Sequence, residues 1–98
     1  MIIFDQEITV HRQRLYSSKG VYEEHGVIYG IILPIKAEDV ILTEGDPSKS
    51  YKLIADINVD LLEADKVISN GETYIVKTIK KFTFRRVTRL EAYIYKSN

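Results

Sequence analysis

Two histidines, fourteen carboxylates and no cysteine bound the chemistry open to this chain. Without a thiol there is no disulfide framework, no thiolate metal site and no sulfur nucleophile. His25 follows Glu23 and Glu24 directly, and imidazole with carboxylate is a ligand set that could bind a metal. Set in a polar stretch, the same three residues read more simply as a solvated charge cluster. His11 lies among polar neighbours and reads as a surface or cross-strand imidazole. Ser17, Ser18, Ser48, Ser50 and Ser69 all sit in turn contexts, and none has the Gly-x-Ser-x-Gly setting of a nucleophile elbow. The five glycines are scattered and form no phosphate cradle. Asp60, Glu63 and Asp65 cluster before an apolar pair, where a solvated bend with Asp65 accepting nearby backbone amides is the simplest account. The expectation is a non-enzyme with no cofactor and no metal.

A second constellation could bind rather than react. Lys77, Lys80, Lys81, Arg85, Arg86 and Arg89 surround Phe82 and Phe84. Cations interleaved with rings on a β surface hold single-stranded nucleic acid in some barrels, stacking the bases and neutralising the phosphates. The competing account is a charged strand whose two phenylalanines are core. Zero net charge favours that account, because a dedicated nucleic-acid binder carries a basic excess.

The elements that must position these residues are strands. Val67-Ile68 and Tyr74-Ile75-Val76 flank Asn70-Gly71, the pair that best tolerates the positive φ of a type I′ turn. A β-hairpin with a two-residue loop follows, and other strands must complete its sheet. Over residues 7–15, Ile8 and Val10 alternate with Thr9 and His11, giving a half-buried strand. Residues 16–26 have two serines, two glycines and three further charges besides His25, so they read as a long loop. Over residues 27–36, Val27, Tyr29, Ile31 and Leu33 share one face, with Ile28 and Ile32 on the other. That run fits a strand covered on both sides, with a bend or bulge at Gly30 and an end at Pro34. Residues 37–42 could form one helical turn, and residues 44–48 form a turn cluster. Over residues 51–59, Tyr51, Leu53, Ala55, Ile57 and Val59 alternate with Lys52, Asp56 and Asn58. The second hairpin arm is expected to bend near Lys80-Lys81. Finally Leu90, Ala92 and Ile94 suit the core, which puts Tyr93 and Tyr95 on the opposite face, where large amphipathic rings tend to meet a partner.

Ninety-eight residues make one domain with one modest core. Short strands and turns with hardly any helical period imply an all-β fold: a small antiparallel barrel or sandwich, with a long loop between the first strands and at most one short helical turn. No apolar run approaches the roughly 18 residues of a membrane helix, and the first residues lack the features of a signal peptide, so cytosolic synthesis is expected. Charge is uneven along the chain. Residues 38–72 hold nine acidic and three basic residues, and residues 73–98 hold seven basic and one acidic. Either acidic and basic strands are sheet neighbours, or two oppositely charged faces meet other copies or partners.

From Pro34 onward the chain resembles the head-closure, or head–tail joining, proteins of tailed bacteriophages, often called stoppers. The pattern is an N-terminal strand, a long loop, and an apolar strand ending in Pro (Ile32-Leu33-Pro34). Then come a short acidic segment (Glu38-Asp39), a strand over residues 51–57, and an acid before an apolar pair (Asp65-Lys66-Val67-Ile68), followed by Asn70-Gly71 and Tyr74-Ile75-Val76. Tail-completion proteins share several of these features. The resemblance implies a barrel subunit of a homo-oligomeric ring in the virion neck, assembled in the host cytoplasm. Its partners would be portal and adaptor proteins above and a tail-terminator protein below, with indirect contact with packaged DNA and no membrane. By position the channel loop would carry Tyr16, Lys19, Tyr22, Glu23, Glu24 and His25. Arg85, Arg86, Arg89, Tyr93 and Tyr95 are the candidates for the subunit or partner interface.

Overall fold

Asn70 and Gly71 adopt φ of 52° and 77°, the left-handed pair that a type I′ corner requires. They join β4 (Lys66–Ser69) to β5 (Glu72–Phe84), so the expected hairpin is present. A computed structural model of the chain describes residues 5–13, 21–35, 49–84 and 87–97, without the side chains of Phe84 and Val87. The other strands are β1 (Gln6–Gln13), β2 (Tyr22–Pro34), β3 (Ser50–Ala55) and β6 (Val87–Ser97). All pair antiparallel in the order β1-β2-β3-β6-β5-β4, and β4 returns to β1 to close the barrel. There is no α-helix among the described residues.

Inward-facing positions come from every strand. Ile8 and Val10 of β1, Leu53 of β3, Val67 of β4, Val76 of β5 and Leu90, Ala92 and Ile94 of β6 are all essentially shielded from water. Tyr74 joins them, its ring edge-on to Tyr51 with centroids 5.4 Å apart. Leu61 closes the core from the segment between β3 and β4. Gly30 lets β3 approach closely: a Cβ there would lie 2.7 Å from the Ile54 carbonyl oxygen and 2.9 Å from Leu53 Cδ1. The glycine marks a tight crossing of backbones, while the bulge in the β1–β2 pair lies elsewhere.

Several expectations need correction. The loop expected over residues 16–26 does not extend over 22–26, because Tyr22, Glu23, Glu24, His25 and Gly26 belong to β2, where all but His25 pair with β1. A register shift between Val10 and His11 leaves His25 as the extra residue of a β-bulge, which breaks the alternation that would have marked a strand. Tyr16 and Lys19 lie outside the described residues, as do the helical turn at 37–42 and the turn cluster at 44–48. β2 does end at Pro34. On its outer face Val27, Tyr29 and Leu33 are 46%, 53% and 43% exposed. β3 stops at Ala55, four residues early, where Asp56 accepts the amides of Asn58 and Val59 and turns the chain. β5 continues through Lys80-Lys81 as one strand, and its register shift against β6 comes earlier, between Val76 and Thr78.

Candidate functional site

Three places gather the polar and aromatic side chains. The first is an ionic knot under the barrel. Arg12, near the end of β1, meets the buried carboxylate of Asp65 with two nitrogens: Nε to Oδ1 at 3.1 Å and Nη2 to Oδ2 at 2.9 Å. Asp65 Oδ2 also accepts the Leu62 amide at 2.9 Å, the backbone role expected for this residue. The left-handed Ala64 (φ 75°) turns the carboxylate inward, and both Ala64 and Asp65 bond to the Val76 backbone. Arg12 Nη2 reaches Asp60 Oδ1 at 3.1 Å, and His25 Nε2 donates to Asp60 Oδ2 at 2.5 Å. Tyr22 Oη donates to the Ala64 carbonyl, and Lys66 Nζ stands 4.3 Å from the centre of the Tyr22 ring.

The electrostatics follow from these contacts. The Asp65 hydrogen bond, against the cost of burial, holds the Arg12 guanidinium still more firmly protonated. Hydrogen bonds from His25 and then Arg12 hold the Asp60 carboxyl below its ordinary value. A His–Asp pair resembles part of a hydrolytic triad, but Asp60 is shared with a guanidinium and no hydroxyl donates to His25 among the described contacts. The metal alternative of His25 with Glu23 and Glu24 gains no support, since no three metal-ligating side chains converge among the described residues.

The second place is the outer face of the β5–β6 hairpin. Phe82 and Arg89 sit opposite each other, with the guanidinium 5.3 Å from the ring centre and the ring 39% exposed. Phe82 is therefore not core, contrary to the simpler of the two accounts. Arg89 Nε also donates to Glu91 Oε2 at 2.6 Å, and Lys52 Nζ lies 3.4 Å from Glu91 Oε1. Burial works against ionisation of Glu91, but the Arg89 hydrogen bond and the Lys52 charge outweigh it and keep the carboxyl below its ordinary value. The Tyr93 ring has Lys52 on one side at 5.9 Å and Lys80 on the other at 5.5 Å. At 4% exposure Tyr93 is committed inside the subunit, and Tyr95 is half-buried, so neither stands out as the free ring expected for an interface. Arg85 and Arg86 lie outside the described residues.

The third place was missed from the sequence. A groove of about 550 Å³ separates β2 from the 56–60 turn. Val10, Ile28 and Val59 give it apolar walls, and Asp56, Asp60 and His25 give it a polar rim. It exists because β3 stops at Ala55 while β2 continues past it toward Tyr22. The only sequence signal was the early acid at Asp56, which capped a turn instead of continuing the alternation.

The acidic and basic stretches meet across neighbouring strands at Glu72–Lys96, while Lys52–Glu91 pairs the minority charge of each stretch. Compared with known proteins, the chain matches no family model and no curated sequence.

Proposed function

We propose that this chain is a non-enzymatic structural subunit that assembles into a ring, and that the ring is the head–tail connector of a tailed phage. In that role it would close the head below the portal and adaptor and present a docking surface to the tail. The carrying observation is that one closed barrel exposes two unlike surfaces. One is the apolar stripe of Val27, Tyr29 and Leu33 on β2; the other is the basic and aromatic strip of Lys80, Lys81 and Phe82 on β5, with the half-buried Arg89 against the Phe82 ring. A ring subunit needs two different complementary patches, whereas a two-fold dimer needs one. Exposed large apolar side chains rimmed by polar ones are what such contacts use. The phage assignment comes from the order of sequence features around Pro34, Asp65 and Tyr74, which also leaves a tail-completion role open.

The ring predicts a multimer of defined mass when the protein is concentrated or mixed with portal and tail proteins. A chain that stays monomeric in both settings and binds neither would remove the proposal.

One observation favours a second reading. Phe82 is exposed beneath Arg89, between the exposed Lys80, Lys81 and Thr83, an arrangement able to stack a base and contact phosphates. A single-stranded nucleic-acid barrel would bind oligonucleotides with a steep salt dependence. Phe82→Ala would then weaken binding, by about 1–3 kcal/mol for one stacked base. No binding at low salt eliminates this reading and leaves the ring untouched.

A further inference from the structure

We propose that the end of the β5–β6 hairpin of one copy of this chain seats in the β2 groove of the next, Phe82 entering between the apolar walls and Lys81 pairing with Asp56 at the rim. The inference rests on the ring reading and names the contact that would build it. Exposure identifies the knob. Lys80, Lys81, Phe82 and Thr83 are four consecutive exposed residues of β5. Successive side chains of a strand point to opposite faces, so both faces of β5 meet solvent there. Earlier on the same strand Tyr74 and Val76 are 8% and 1% exposed, which places their face in the core. The hairpin therefore stands out from the barrel wall beyond Lys80, with Phe82 as its large apolar group and the Arg89 guanidinium against the ring.

The hole is the groove of about 550 Å³ between β2 and the 56–60 turn. Arg12 of β1 and His25 of β2 both bond to Asp60 and hold that turn in place, while Val10, Ile28 and Val59 line the walls. A volume of that class admits a phenyl ring with a lysine stem beside it. Asp60 is shared by Arg12 and His25, whereas Asp56 is exposed and takes the Asn58 amide through Oδ1. Asp56 is the carboxylate placed to receive an incoming ammonium. Two observations select a second copy as the occupant. The charges are complementary: Lys77, Lys80 and Lys81 mark the hairpin, and Asp56 and Asp60 mark the groove. Groove against groove would oppose carboxylates, and hairpin against hairpin would oppose ammonium groups. Placement is the second. In the order β1-β2-β3-β6-β5-β4, β2 and β5 stand three strands apart, on opposite walls of the closed barrel. A knob on one wall and a hole on the other pass the contact from copy to copy, and a ring results when the rotation closes. The contact is made by side chains and needs no backbone pairing between strands.

The chain has no cysteine, so introduced thiols can be linked specifically. Asn58→Cys on the groove turn and Thr83→Cys on the hairpin are prepared separately, mixed, and treated with a short bis-maleimide. The reaction is run on the concentrated chain and on the chain mixed with portal and tail proteins. The mixture is expected to give more linked dimer than either variant alone. Phe82→Ala is expected to weaken self-association about tenfold or more. Asp56→Asn keeps the oxygen that holds the turn and removes the charge. Combined with Lys81→Gln, it is expected to weaken association no more than either change alone. Circular dichroism of each variant establishes that it is folded. Additive losses from those two changes overturn the Lys81–Asp56 pair, and equal linking by one cysteine variant alone overturns the whole contact. Multimers that form without the mixed link and ignore Phe82→Ala overturn the seating and leave the ring standing. No link and no multimer in either setting overturns the seating, and failure to bind portal and tail proteins as well removes the ring.

Discussion

At the waist of the barrel β3 has a strand on each side, and Leu53, Leu90, Ala92 and Ile94 are wholly shielded. Where β2 and β5 overhang, each has a single strand neighbour among the described residues, and Val27, Tyr29 and Phe82 are exposed. Residue type does not separate the two regions, since both are rich in apolar and aromatic side chains. What separates them is closure. An inward position at the waist is covered from all around the ring, while among the described residues the overhanging ends have one strand partner each and exposed side chains on the outer face. The waist is the shielded region, and the ends carry exposed apolar side chains.

Substitutions at the two regions should therefore differ in kind. Leu90→Ala at the waist should cost most, about 3–4 kcal/mol of unfolding free energy in denaturant melts, because the cavity it leaves is enclosed. A loss near 1 kcal/mol would show that the wall collapses around the gap and that the waist is less rigid than its burial implies. Arg12→Ala should follow at about 3 kcal/mol, since it strands the buried Asp65 charge; Arg12→Ala with Asp65→Asn should recover part of that loss. Additive losses in the double variant would mean the pair is not coupled. Gly30→Ala, where waist and overhang meet, should cost about 1–3 kcal/mol through its clash with the Ile54 carbonyl, and a neutral result would move that crossing of strands.

Glu91 sharpens the comparison through pH. Its carboxyl is lowered in the fold, chiefly by Arg89 and Lys52 acting against burial. The stability it contributes is fully present above the ordinary carboxylate pKa and is lost as pH falls through the lowered one. Glu91→Gln should flatten that acid-side loss, measured as the change in denaturation midpoint between neutral and acidic pH. An unchanged acid limb would place the sensitivity elsewhere, Asp60 being the next lowered acid. The smallest effect belongs to the overhang. Tyr29→Ser should change the stability of the isolated chain by no more than about 0.5 kcal/mol while reducing its association. A large stability loss there would mean that Tyr29 is packed within the subunit and that the two regions are not distinct.

The β4–β5 corner was legible because Asn70 and Gly71 specify their own backbone angles, with no help from distant residues. Leu90, Ala92 and Ile94 were legible because period-two alternation survives wherever a strand is regular. The start of β2 was not, because the bulge at His25 interrupts that alternation and carboxylates crowd the same stretch. Tyr93 looked outward by register, yet it is buried, with Lys52 Nζ and Lys80 Nζ both near its ring; register gives the side of a sheet, not what lies on it.

Sequence alone determined the all-β class, the left-handed corner, the absence of thiol chemistry and the inward set of β6, since each depends on one residue or on near neighbours. Only the tertiary structure decided that Arg12 would clamp Asp65, 53 positions away, that Asp60 would be shared with His25, and that β2 and β5 would outrun their neighbours. Those outcomes depend on how strands of unequal length register around a closed ring. Pairing across the whole chain fixes that register, and no local stretch of side chains encodes it.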